Sequence, residues 1–143
     1  MTEKIAVIRV RGGINVNKKI KDTFNLLRLY NKNYCVVLDS TPAIIGMINK
    51  IKDYITWGEI NDETYNLLIE KRGKEYKGRE KDSKEKIDYK KFIVINNKKY
   101  KPFFRLNPPK KGYGRKGIKI GFKVGGALGN RNEKINNLIK RMI

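Results

Sequence analysis

The chain has 143 residues, 39% hydrophobic and 34% charged, with one cysteine, no histidine and a formal net charge of +20 at pH 7. That length suits one domain with a modest core, and so lean an apolar fraction suggests that part of the chain folds against something else. Without histidine there is neither the usual general base nor the commonest metal ligand, which excludes zinc sites and Ser/His or Cys/His catalysis; no enzyme, no cofactor and no small-molecule substrate is expected.

Residues 5–11, Ile-Ala-Val-Ile-Arg-Val-Arg, are β-branched and then alternate, setting Arg9 and Arg11 on one face against Ile8 and Val10, and predict a strand. Asn17 is placed to cap a helix over 18–30 whose stripe is Ile20, Phe24, Leu27 and Tyr30, with Lys18, Lys19, Lys21, Arg28 and Lys32 outside. Residues 34–38 predict a second strand, apolar enough to be buried on both faces, and Cys35 within it reads as core filler. Thr41-Pro42 opens a second helix, with Ile44, Ile45, Ile48 and Ile51 inward, ending near Asp53. Residues 54–57 predict a third strand, where Trp57 is expected to pack rather than to stack on a base. Asn61-Asp62-Glu63 begins a third helix that Arg72-Gly73 stops, its acids suiting the positive helix start.

This β-α-β-α-β-α order predicts an α/β two-layer sandwich, with helices on one sheet face and the other face left to solvent or RNA. Residues 74–88 carry mixed charge and little to bury, and are expected to form a mobile connection between a core at 1–73 and an extension at 89–143. In the extension, 89–95 is ambiguous between strand and helix, 96–99 looks like a turn, and the glycine-rich run from 112 to 129 promises little regular structure. Asn130 is expected to cap a C-terminal helix whose stripe of Ile135, Leu138, Ile139 and Met142 docks back on the core.

Charge is placed unevenly along this order. Eighteen basic against thirteen acidic residues leave 1–88 at +5, whereas 89–132 holds thirteen Lys and Arg and no acid. A stretch that repels itself so strongly calls for a polyanion, and nucleic acid is the commonest one. Within it, residues 108–119 combine glycines that let a backbone approach phosphates, the cations Lys110, Lys111, Arg115, Lys116 and Lys119, and Tyr113 as a ring for an unpaired base or a sugar. Gly112, Gly114 and Gly117 also have dinucleotide-loop spacing, but Pro108-Pro109 rather than a strand precedes them. Arg9 and Arg11 with Lys18 and Lys19 form a second candidate area. No membrane partner is expected: the apolar runs fall far short of the ~20 residues that span a bilayer, and no basic amphipathic helix is evident. The opening residues pass straight into a strand pattern without an apolar leader, so a cytoplasmic location is expected.

Five segments in fixed order carry a resemblance. They are residues 7–12, Val-Ile-Arg-Val-Arg-Gly; the helix at 20–29; residues 46–59, from Gly46 to Gly58-Glu59; Phe104-Arg105-Leu106-Asn107-Pro108-Pro109-Lys110; and Gly125-Gly126-Ala127-Leu128-Gly129-Asn130-Arg131. Together they make the chain similar to the large-subunit ribosomal protein thirty family in its long archaeal and eukaryotic form, whose eukaryotic counterpart is called protein seven. The resemblance implies a ferredoxin-like core, a non-catalytic structural role in the large ribosomal subunit, and partners in large-subunit rRNA, with a place near 5S rRNA, and in neighbouring ribosomal proteins. It implies RNA-facing cations at Arg11, Lys18, Lys19, Arg28, Lys50, Lys52, Arg105, Lys110 and Lys111. Arg9, Tyr113, Arg115, Lys116, Lys119, Lys123 and Arg131 complete the candidate set. A free RNA chaperone or ribosome-assembly factor is the alternative reading. Deletion of 108–124 is expected to weaken RNA binding far more than the fold.

Overall fold

The computed structural model describes residues 4–12, 17–73, 93–95, 98–100, 103–110, 112–113, 117 and 120–143, with the backbone alone at 93–95, 98 and 99. The predicted connection at 74–88 and the candidate residues Lys111, Arg115, Lys116 and Lys119 lie outside the described residues. The elements run β1 (Lys4–Arg9), α1 (Lys18–Leu27), β2 (Tyr34–Asp39), α2 (Pro42–Lys50), β3 (Ile55–Glu59), α3 (Asp62–Arg72), β4 (Ile93–Ile95), β5 (Lys98–Tyr100), β6 (Phe104–Arg105), β7 (Gly129–Asn130) and α4 (Ile135–Met142), with 3-10 turns at Phe122–Val124 and Asn132–Lys134.

Local chemistry sets the helix ends. Asn17 accepts a hydrogen bond from the Lys19 N–H, Thr41 from Ile44 with Pro42 at the first helical position, and Asn61 from Thr64. Helix α1 stops three residues short of the predicted Tyr30, because Arg28 turns left-handed at φ 64°. The Arg28 N–H then reaches the Asn25 carbonyl and the Leu29 N–H reaches back to Phe24 at 2.9 Å, a Schellman closure that returns Leu29 to the core beside Phe24. Lys98 and Lys99, expected in a turn, lie in β5, which pairs antiparallel with β4.

A five-stranded sheet in the order β6-β2-β1-β3-β7 holds the molecule together. Strand β1 is antiparallel to both neighbours, from Lys4↔Asp39 to Ile8↔Cys35 on one side and from Ile5↔Glu59 to Arg9↔Ile55 on the other. β2 and β3 are therefore parallel to each other around β1, and α2 makes the crossover between them. This is the split β-α-β unit of a ferredoxin-like sandwich. On its covered face Ile5, Val7 and Val36 meet Phe24 and Leu27 of α1 and Ile48 and Ile51 of α2.

The second face is not left to solvent or RNA. Ala6, Ile8 and Cys35 there meet Leu68 of α3, Phe104 and Leu106, and Ile135, Leu138, Ile139 and Met142 of α4. The extension thus supplies both edge strands and half the core. It comes so close that a Cβ on Gly58 of β3 would collide with the Asn132 carbonyl and lie 2.9 Å from the Ile135 Cβ. Asn130, expected as the cap of the last helix, sits in β7 instead; its side chain accepts from the Asn132 N–H and starts the 3-10 turn that leads into α4. Trp57 is half-buried against the α1/α2 cluster, and among the described residues no helix is long and apolar enough to cross a membrane.

Two substitutions test this arrangement in urea melts followed by Trp57 fluorescence. Gly58→Ala should cost about 1–3 kcal/mol because a backbone carbonyl cannot yield as a side chain does, whereas Gly46→Ala, on the open side of α2 with nothing within 4 Å, should be neutral or mildly stabilising. Arg28→Gly should stabilise by about 1 kcal/mol, since only glycine adopts this backbone without strain.

Candidate nucleic-acid interface

The register gives the sheet two chemically different ends. Where β1 exits, Val10 and Arg11 donate to the Tyr54 carbonyl, Asn33 to Arg9, Leu106 to Asn33, Asn107 to Met142 and Lys110 to Arg141. The loops around residues 28–33, 50–54 and 106–113 and the end of α4 therefore converge there, bringing Arg11, Arg28, Lys32, Lys50, Lys52 and Lys110 to one side. At the opposite end stand Asp39 and Glu59 in the first β1 pairs, Asp62 and Glu63 in the first turn of α3, and Glu133 before α4, with Lys4 among them. Acids at helix starts are stabilised by the helix dipole. Helix α1 does the reverse: Lys18 and Lys19 occupy its first turn, both exposed, and no acid accompanies them.

Not every predicted contact is available. Arg9 is 5% exposed: its Nη1 donates to the Leu29 carbonyl at 2.8 Å and to Tyr30 at 3.1 Å, and its guanidinium lies 3.9 Å from the Phe24 ring centre. It caps the end of α1, whose carbonyls would otherwise be orphaned. Arg131 is 4% exposed and donates to the Thr56 hydroxyl at 2.8 Å, the Tyr113 carbonyl at 2.7 Å and the Ala127 carbonyl at 3.0 Å. Thr56, itself fully buried, passes its own proton to the Gly129 carbonyl at 2.9 Å. Burial above all, with Arg141 adding to it and Tyr113 opposing, brings the Arg131 guanidinium down to about 10, so it stays charged at neutral pH. Arg9 and Arg131 are structural cations, and both leave the RNA-facing set.

Tyr113 is likewise built in. Its hydroxyl donates to Asn33 Oδ1, and burial, against the pull of Arg131, raises its phenol above the ordinary value. Arg141 Nη1 ties the same segment down through the carbonyls of Lys110 and Gly112 at 3.0 and 2.9 Å. The segment 107–113 thus closes the end of α4, and removing it would expose core, so charge-neutralising substitutions are the cleaner test of RNA contact than deletion of 108–124.

Between the β1 exit and this segment lies a cleft of about 1020 Å³ whose wall includes Arg11, Tyr30, Asn31, Lys32, Pro108 and Tyr113. Two areas that the sequence kept apart, the end of the first strand and the Pro-Pro-Lys-Lys segment, are one site. Arg11 is half-buried, held 4.9 Å over the Tyr54 ring with Nη1 3.3 Å from the Asp53 carbonyl. Lys50, Lys52 and Lys110 are exposed, as are Arg105 on edge strand β6 and Lys123 in its 3-10 turn. Lys32 and Tyr30 escaped the candidate set; only knowledge that β2 pairs beside β1 brings their turn to this end.

Arg131→Gln should lower stability by at least about 2 kcal/mol, since buried acceptors lose a charged donor, while Lys32→Gln and Lys110→Gln should stay within about 0.5 kcal/mol in the same urea melts. Cys35 is fully buried and burial pushes its thiol up to about 12. It should resist a disulfide-exchange reagent in the native protein and react at once in denaturant.

Comparison with known proteins accounts for this architecture. The family model described as ribosomal protein L30p/L7e matches residues 5–55, which cover β1, α1, β2, α2 and the start of β3. A protein of Nanoarchaeum equitans named large ribosomal subunit protein uL30 is 48% identical over 152 aligned positions, covering 96% of this chain and 97% of that protein. Proteins of the same name from Methanococcus maripaludis and Methanopyrus kandleri are each 43% identical, covering 96% and 94% of this chain and 98% and 100% of their own lengths. The likeness runs through the edge strands, the cleft segment and α4 as well as the first fifty-odd residues, and the chain belongs to the ribosomal protein L30p/L7e family.

Proposed function

We propose that this protein is a non-catalytic constituent of the large ribosomal subunit that binds and stabilises large-subunit rRNA, with the β1 exit end as its main RNA face. The observation that carries the reading is the separation of charge: Arg11, Lys32, Lys50, Lys52 and Lys110 gather where the loops converge, and the acids stand at the other end, where Lys140 meets Glu63 at 3.9 Å. Lys18 and Lys19 support it. Each sits against the helix dipole at an electrostatic cost of ~0.3–1 kcal/mol, which a phosphate would reverse. Arg28, Arg105 and Lys123 extend the proposed contact over the adjoining surfaces, and the acid-free composition of 89–132 adds Lys111, Arg115, Lys116 and Lys119. Neighbouring ribosomal proteins and a position near 5S rRNA form the finer part of the proposal.

Filter binding of the full chain to large-subunit rRNA across a salt series is the test. Log K should fall linearly with log salt, at ~0.7–0.9 per phosphate met, and Lys32→Gln or Lys110→Gln should each flatten the slope by about one contact. Lys134→Gln at the far end should not change it. A flat salt response overturns the proposal. Retention on large subunits through a high-salt wash separates a constituent from an assembly factor, and crosslinking within those subunits tests the 5S position.

A further inference from the structure

We infer that the cleft beside Tyr30 takes one unpaired nucleotide of the bound RNA, with the Tyr30 ring as its stacking surface; the inference rests on the RNA-binding reading above. Tyr30 is 46% exposed, unusual for a large ring at the end of an apolar stripe. It is nevertheless held still. Phe103 meets it edge-on at 5.6 Å and 88°, and Phe103 is in turn stacked on Tyr34 at 5.3 Å and 7°. The Tyr30 carbonyl is fixed by the buried Arg9 guanidinium. A ring fixed by its neighbours loses little entropy when a base settles on it.

The groups around the ring suit a nucleotide. Arg11 and Lys32 stand on the cleft wall to meet a phosphate, and the Asn31 side chain, whose amide nitrogen lies 3.4 Å from the Tyr34 hydroxyl, offers an amide to a base edge. Asn33 and Tyr113 are bonded to each other and form wall rather than ligand. A paired duplex has no free base face to present, because its bases already stack on each other. Only a bulged, looped or terminal base can use Tyr30. The positive wall favours nucleic acid over a basic peptide segment.

The experiment compares a blunt RNA duplex with the same duplex carrying one bulged adenosine, each titrated with the full chain at two salt concentrations. The wild-type protein should prefer the bulged RNA, and Tyr30→Ala should weaken that RNA on the order of tenfold while leaving the duplex unchanged. Tyr30→Phe should keep the preference, and Lys32→Gln should weaken both RNAs and lower the salt slope. Thermal melts of Tyr30→Ala should show a fold intact. Equal binding of the two RNAs, or equal loss for both on Tyr30→Ala, overturns the nucleotide site while the salt-dependent rRNA reading stands. Unchanged binding of both by Tyr30→Ala overturns it in favour of a protein segment in the cleft. No salt-dependent binding of either RNA overturns both readings together.

Discussion

The double burial of β1 is the constraint on which the rest of the structure depends. Ala6, Val7 and Ile8 have no exposed surface, so the strand needs an apolar cover on each face of the sheet. Helices α1 and α2 cover the face of Ile5 and Val7. The other can be covered only by residues from the second half of the chain, because the split β-α-β unit has no helix left for it. The extension must therefore return to the core twice, through β6 beside β2 and through β7 and α4 beside β3. Each return is close-packed, with Gly58 of β3 leaving no room for a side chain against the turn before α4. The cationic surface inherits its rigidity from this: the segment 107–113 bridges β6 to the last carbonyls of α4, and it stands where it does because α4 does.

Cations in this fold divide by what surrounds them. Arg9 and Arg131 are held by neutral oxygens, carbonyls at helix and loop ends and one threonine hydroxyl, with an aromatic ring beside each guanidinium. Arginine suits this because its planar fork serves several acceptors at once and is weakly hydrated, so less is lost on burial than with an ammonium. The lysines at the β1 exit are exposed on loops and helix ends. In the unbound protein they gain little from their surroundings, and at neutral pH they repel one another.

Most of the fold was legible from the sequence, and the failures have physical causes. Caps at Asn17, Thr41 and Asn61 announce their helices because only such side chains satisfy free N–H groups, and all three act as predicted. Arg28 gave no sign of its left-handed turn, because glycine or asparagine is the ordinary signal for a helix closure of this kind. The apolar run at 5–8 already implied two covered faces, but a covering helix more than a hundred residues away leaves no local trace. Alternation of Arg9 with apolar neighbours reads as a solvent face, and nothing in the residues shows that the end of α1 will sit over it. For the same reason Tyr30 and Lys32 went unnoticed: their turn becomes part of a site only once β2 is known to lie antiparallel to β1.

The acid-free stretch acquires a double meaning from this geometry. Part of it is interior: Ala127, Leu128 and Arg131 are buried, with Tyr113 packed against the same small cluster. Part is surface, at Arg105, Lys110 and Lys123. An acid on the interior part would have to be buried beside Arg131, where the guanidinium already has its neutral acceptors and the carboxylate would pay desolvation with few donors left to meet it. An acid on the surface part would pair with the lysines and cancel the field that draws a polyanion to this end. Both halves thus exclude acidic residues, one for stability and the other for binding. A run of sequence that looked like a basic tail is better understood as the second wall of the fold, with its positive charge confined to the face that the core leaves uncovered.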